Sequence, residues 1–212
     1  MHDLGRFEGD TVFDRLARAV CAAECLPRKE LYEAWETARR VRRRIRGRRV
    51  IDLAGGHGLL AHALLLLDDT SPTAIVVDRV VPPSAAILSE RLGDTWPRLR
   101  GRVRYDTADL GTVPLGHDDL VVSCHACGAL SDAVLTRAID ARAAVAVLPC
   151  CHDVAVSDAG VLTGWLDAPM AIDVMRAVRL ERCGYTVWTQ TIPAAITPRN
   201  RLLVAVPAPT VL

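Results

Sequence analysis

The stretch Val50-Ile51-Asp52-Leu53-Ala54-Gly55-Gly56-His57-Gly58-Leu59-Leu60 decides how this 212-residue chain is read. Val50, Ile51 and Leu53 form a short apolar run of strand character, and the leucine-rich segment after Gly58 reads as a helix. Between them lies a turn dense in glycine, where backbone can approach a ligand that side chains would exclude. Asp52 followed by Ala54, Gly56 and Gly58 fits an acidic-x-G-x-G-x-G turn with alanine in the first glycine position. Gly56 to Ala61 also fits the dinucleotide fingerprint G-x-G-x-x-A. Asp78 ends the next apolar run, 20 residues beyond Gly58, where a carboxylate can accept hydrogen bonds from both hydroxyls of a ribose.

Working outward, helical periodicity covers Thr11–Cys25 and Arg28–Arg46, the second opened by Pro27 and stopped by Gly47. Strands are expected at Arg49–Leu53, Thr73–Asp78, Arg102–Asp106, Asp118–Ser123 and Ala143–Leu148. Helices are expected at Gly58–Leu67, Ser84–Leu92, Leu130–Ile139 and Pro169–Cys183. Two final strands, Tyr185–Ile192 and Arg201–Val206, have only a short loop between them and should pair antiparallel. Five βα units and a closing hairpin predict an α/β, Rossmann-like class I methyltransferase fold. Its sheet should be seven-stranded and mostly parallel, in the order 3-2-1-4-5-7-6. Residues 1–47 are expected to form a helical extension and residues 48–212 the S-adenosylmethionine-dependent domain. The hairpin weighs against a dinucleotide fold, which would continue with parallel strands. The expected cofactor set is Asp52, Ala54, Gly55, Gly56, Gly58, Asp78, Arg79 and Ser123, with Asp109 near the adenine amino group.

Composition sets bounds on the rest. Half the residues are hydrophobic, 24% are charged and the net charge is +1, as in a soluble enzyme rather than a polycation. Met1–Asp10 carries acidic residues where an apolar leader would be needed, and Leu59–Leu67 is too short to span a bilayer. Seven cysteines, an odd number with Cys150 and Cys151 adjacent, do not suggest a secreted disulfide framework. A cytoplasmic protein with reduced thiols and no membrane association is expected.

Two clusters of soft and polar side chains directly follow expected strands: Ser123-Cys124-His125-Ala126-Cys127-Gly128 and Pro149-Cys150-Cys151-His152-Asp153. Adjacent parallel strands would bring both to the carboxyl edge of the sheet, where open α/β folds bind ligands. His125 could act as a general base. Cys150, Cys151 and His152 complete the expected catalytic set, with thiolate character promoted by His152 or a helix amino terminus. Zinc binding is chemically open, but vicinal Cys150 and Cys151 are poorly spaced to join Cys127 on one ion, so no metal is assigned. Cys21 and Cys25 share a helical face and are read as packing residues.

The pattern H-x-C-G-x-x-x-D (His125, Cys127, Gly128 and Asp132) followed by Cys150, Cys151 and His152 resembles the methyltransferase-32 family. That family includes the eukaryotic tRNA acceptor-stem ribose methyltransferase and the methyltransferase-like protein 25 group. The resemblance covers about residues 50–153 and implies an S-adenosylmethionine enzyme with RNA as a possible acceptor. Ahead of Val50 there are none of the C-x-x-C pairs that one family branch carries in zinc-finger segments before its catalytic domain, and position 54 is alanine. Lys29 is the only lysine, so a Lys-Asp-Lys-Glu tetrad for deprotonating a ribose hydroxyl cannot be built.

From Arg39 to Arg49, eight of eleven residues are arginine. Such a run could neutralise phosphates or be a solvated face favoured at the carboxyl end of a helix. Aromatic residues make up only 4% of the chain, so no base-stacking platform is evident. No obligate protein partner is inferred. The competing readings are a non-catalytic RNA- or metal-binding module with a degenerate nucleotide pocket, and an NAD-dependent oxidoreductase.

Overall fold

The computed structural model describes residues 4–209. The outermost residues of the expected extension and of the expected cofactor domain, 1–3 and 210–212, lie outside it, as does the beginning of the Met1–Asp10 stretch.

Two helices come first, α1 (Val12–Ala23) and α2 (Arg28–Arg42). At the start of α1 the Thr11 hydroxyl accepts the Asp14 N–H at 3.1 Å and the Asp14 carboxylate accepts the Thr11 N–H at 3.2 Å. This reciprocal cap satisfies amides that the first turn leaves without partners. The α2 helix stops four residues short of the expected Arg46. Ile45 there turns into the core at 4% exposure, and Gly47 adopts φ 71° while its N–H donates to Asp68 at 2.9 Å.

Strands and helices then alternate: β1 (Arg49–Leu53), α3 (Leu59–Leu67), β2 (Ala74–Asp78), α4 (Ser84–Thr95), β3 (Val103–Thr107), β4 (Asp119–Ser123), α5 (Ala129–Asp140), β5 (Ala144–Val147), α6 (Ala168–Arg182), β6 (Tyr185–Thr191) and β7 (Arg201–Pro207). The sheet order is β3-β2-β1-β4-β5-β7-β6, as the element pattern predicts. Five strands run parallel with β1 at their centre, and β7 lies antiparallel between β5 and β6. The β3–β4 connection carries no helix, in keeping with the individual helices expected from the sequence, so four βα units rather than five precede the hairpin. Val113 is buried there, with Ala108, Leu110 and Leu115 packed beside it, and these loop residues cover the sheet instead.

Side chains of successive strand residues point to opposite faces. On one face Val50, Val76, Leu120, Val122 and Ala146 meet α1, α2, α3 and α4 in a single buried cluster. Ile51, Leu53, Val121 and Val145 meet α5 and α6 on the other. The two helices ahead of β1 therefore cover the same face as α3 and α4.

A polar network braces the far end of the sheet. Asp173 of α6, 5% exposed, accepts from His152 at 2.8 Å, Arg201 at 2.6 Å and Arg176 at 3.2 Å. Arg176 in turn grips both carboxylate oxygens of Asp132 on α5 at 2.8 Å, and Ser157 donates to the same carboxylate at 2.8 Å. Burial alone would raise the pKa of Asp173, yet hydrogen bonds from His152 and Arg201 hold it below the usual carboxylate value. Replacing Asp173 with alanine removes the carboxylate shared by His152, Arg201 and Arg176 and leaves the pair of Arg176 with Asp132 as the remnant of the network, so stability should fall by about 3–5 kcal/mol in denaturant unfolding at neutral pH.

Candidate functional site

The carboxyl ends of β1, β2 and β4 open into a cleft of about 350 Å³. Asp52, Ala54, Gly55 and Gly56 form one wall, Asp78 another, and Cys124 and His125 a third. A second hollow of about 70 Å³ shares Ala54, Asp78 and Leu130 and is otherwise lined by Val77, Arg79, Ala108 and Leu110.

The turn between β1 and α3 is shaped by close backbone approach. A Cβ on Gly55 would meet the Asp52 carbonyl oxygen at 2.9 Å and Val76 at 2.8 Å, so the fold itself demands glycine there. Gly56 has φ 51° and nothing within 4 Å of a Cβ position, leaving its face open to the cleft. Ala54 sits at φ 55°, a left-handed conformation costly for a residue with a Cβ. Gly58 lies under the turn against Val76 and Tyr105 and lines neither hollow.

Asp52 is 1% exposed, and its Oδ2 accepts the Ala61 N–H of the first turn of α3 at 3.3 Å. Burial drives its pKa up to about 7, the Ala61 hydrogen bond opposes the rise and the Asp78 charge adds to it. Asp78 accepts the Gly56 N–H at 3.0 Å on one oxygen and the Val80 N–H at 3.3 Å on the other. One turn along α3, His62 is buried with Nδ1 2.9 Å from the Gly58 carbonyl, and burial lowers its pKa to about 4.

The other expected site residues are distributed as follows. Asp109 is exposed, pairs with Arg79 at 2.6 Å and accepts the Gly111 N–H at 2.8 Å. Its neighbours Ala108 and Leu110, rather than its own carboxylate, line the small hollow. Ser123 is fully buried, its Oγ has no hydrogen-bond partner among the described residues, and it lines neither hollow. His125 is exposed in the cleft wall. His152 is taken up elsewhere, with Nε2 on Asp173 and Nδ1 facing Arg199 at 3.4 Å. Cys150 and Cys151 join Cys127, all three sulfurs lying within 4.8 Å of one another, a convergence the vicinal spacing had argued against. Burial pushes the Cys127 and Cys150 thiols up; crowding by sulfur adds to the rise at Cys150.

Sequence reasoning missed the roof of the cleft, Leu26, Glu30 and Ala34, which come from α2 and the turn before it. Glu30 and Ala34 are four apart and share a helical face, the one signal available. Glu33 is buried beside them, bonded to Lys29 at 3.1 Å through Oε1, while Oε2 has no partner among the described residues. Burial raises the Cys124 thiol pKa; Thr37 opposes the rise, and the charges of Asp52, Glu33 and Glu30 add to it. The cleft is lined by three carboxylates, Glu30, Asp52 and Asp78, with no arginine or lysine among its described lining.

No family model and no curated protein matches this chain. Solved structures with the same fold include methyltransferases. The methyltransferase SibL, described as S-adenosylmethionine-dependent and solved in its apo form, is 21% identical with a TM-score of 0.54, over 96% of this chain and 65% of that one. The ribosomal protein L11 methylase of Lactobacillus delbrueckii subsp. bulgaricus is 12% identical with a TM-score of 0.53, over 83% and 77%. The M1A22 tRNA methyltransferase TrmK of B. subtilis is 14% identical with a TM-score of 0.51, over 81% and 65%. At such identities the likeness is one of fold: this is the class I methyltransferase architecture.

The two buried titrating groups of the β1–α3 unit should oppose each other. Asp52 has a folded pKa above its unfolded value, so its contribution is lost as pH rises from about 4 through about 7. His62 has a folded pKa below its unfolded value, so its contribution is lost as pH falls from 6.5 through about 4. Relative to the wild type, Asp52→Asn should gain stability with rising pH across this window and His62→Asn with falling pH. Each slope should approach about 1.4 kcal/mol per pH unit in denaturant titrations; parallel curves would refute the assignment. Ala54→Gly should raise stability by up to about 1 kcal/mol by relieving the left-handed strain.

Proposed function

We propose that the chain is an S-adenosylmethionine-dependent methyltransferase. The observation that carries this reading is the Asp52 carboxylate on the first turn of α3. A dinucleotide fold uses that amino terminus to receive pyrophosphate; here an acidic side chain already holds its N–H group, and Glu30 and Asp78 add negative charge. Such a cleft repels phosphate and favours a ligand carrying a sulfonium and an ammonium group. The residues present fit the cofactor: Asp78, in the cleft wall, would accept from the ribose hydroxyls, and the apolar hollow of Ala108, Leu110 and Val77 would take the adenine. Gly56 leaves room where a side chain would intrude. Asp52 and Glu30 face the cationic part.

When bound, the cofactor supplies an activated methyl group, so the protein's task is chiefly alignment of the acceptor and removal of its proton. His125, exposed in the cleft wall beyond β4, is the base this chain offers for an attacking hydroxyl or amide nitrogen. Lys29 does not line the cleft and pairs with Glu33 at 3.1 Å.

RNA is the acceptor class suggested by the motif around His125, Cys127 and Cys150. The arginine run contributes less than its density implies. Arg49 holds Asp119 at 2.7 Å, Arg40 binds Glu36 and the Thr191 carbonyl, Arg44 lies 5.0 Å over the Trp188 ring, and Arg48 binds the His117 carbonyl. Only Arg48 and Arg49 of the run sit where β1 begins; Arg40 and Arg44 lie against β6. From Glu30 to Arg42 the axis of α2 spans about 18 Å. An RNA acceptor using both ends must cover that distance.

Titration calorimetry tests the reading. S-adenosylmethionine should bind more tightly as pH rises through about 7, because its positive charge favours ionised Asp52. S-adenosylhomocysteine, which lacks the sulfonium charge, should show a weaker dependence. Gly56→Arg should abolish binding of both while leaving the chain folded. Heat from NADH with none from S-adenosylmethionine, on protein shown to be folded, would overturn the proposal. Label from tritiated cofactor, followed into RNA and protein fractions of a cell extract, names the acceptor class.

A further inference from the structure

We propose that Cys127, Cys150 and Cys151 form a three-thiolate site for one zinc-class divalent cation, with its fourth position open to solvent. This site lies outside the lining of the cofactor cleft, and the inference does not depend on the methyl-transfer reading.

The convergence follows from topology. Ser123 of β4 pairs with Val147 of β5 in parallel register, so the loops that follow leave the same edge side by side. Cys127 lies four residues past one strand end and Cys150 three past the other. Their sulfurs are 2.8 Å apart, and that of Cys151 completes a triangle with every separation inside 4.8 Å. Zinc–sulfur bonds of about 2.3 Å at tetrahedral angles require sulfurs about 3.8 Å apart, a value within the span of this triangle. Opening the short Cys127–Cys150 separation by about 1 Å is within reach of side-chain rotation alone.

Both loops are anchored to α6. Arg176 reaches the Gly128 carbonyl at 3.3 Å, one residue beyond Cys127, and Asp173 holds His152, one residue beyond Cys151. Arg176 and Asp173 are themselves bonded at 3.2 Å. Outer contacts of this kind fix ligand-bearing loops before an ion arrives. Cys127 and Cys151 are exposed, so an ion has access from solvent. On binding, each thiol gives its proton to solvent as a sulfur–metal bond forms, with no change of oxidation state. Three soft thiolates select zinc over the hard cations magnesium and calcium.

The test is metal analysis of protein purified in reductant without chelator, or reconstituted with zinc sulfate. One zinc per chain is expected. Cobalt in its place should give the intense visible absorption of a tetrahedral sulfur-ligated site. Cys127→Ser, Cys150→Ser and Cys151→Ser should each lose stoichiometric zinc, whereas Cys183→Ser should keep it. Should a variant fail to fold, zinc protection of the wild-type thiols from alkylation, located by peptide mass spectrometry, reads the same three residues. No bound zinc after reconstitution would overturn the proposal, as would equal loss in Cys183→Ser. Stoichiometric iron or copper in its place, or a complete Cys127–Cys150 disulfide in the isolated protein, would do the same.

Discussion

A carboxylate almost without access to water closes the amino end of α3, and the geometry of the ligand end depends on it. Asp52 reaches from the last turn of the central strand to the Ala61 amide. In doing so it fixes how far the chain can travel between strand and helix. The intervening residues are compressed enough that Gly55 has no space for a side chain and Ala54 is forced into a left-handed conformation. On the proposed reading, the ionised form of the same carboxylate would also favour a cationic ligand at this end of the sheet. One interaction thus links backbone path and local strain.

The parts of this arrangement legible in the sequence were those governed by local pattern. Apolar runs broken by glycine placed the strands, and the lack of a helical segment between Tyr185–Thr191 and Arg201–Pro207 identified the antiparallel pair. Asp52, Gly56 and Asp78 were legible because a strand-to-helix turn restricts which residue types can stand there. What escaped was set by packing across distant segments. The shared helical face of Glu30 and Ala34 does not by itself tell that Glu30 roofs the cleft, because that depends on how the helix lies over α3. His152 sits next to two cysteines in sequence, yet Asp173, 21 residues later, turns it aside. Vicinal cysteines looked unable to meet Cys127 because sequence spacing does not reveal how the chain turns as it leaves β5. The helix-free β3–β4 connection follows from a segment containing Gly111, Pro114 and Gly116, which cannot sustain a helical run.

The motif residue Asp132 illustrates how a signature can mix roles. It stands in the same short pattern as His125 and Cys127, but its carboxylate is occupied by Arg176 and Ser157. It holds α5 to α6 and, through Arg176, steadies the turn that carries Gly128. The acidic position thereby supports the loop.

The placement of charge along α2 has a consequence for how the molecule meets a polyanion. Glu30 and Glu33 share the first turns of the helix with Arg28 and Lys29, and Glu36 pairs with Arg39 and Arg40 further along. Arg48 and Arg49 are likewise taken up by the His117 carbonyl and by Asp119. Much of the basic run is thus neutralised or held within the fold, and retention on a nucleic acid column would fall away at modest ionic strength, whatever the cleft itself binds.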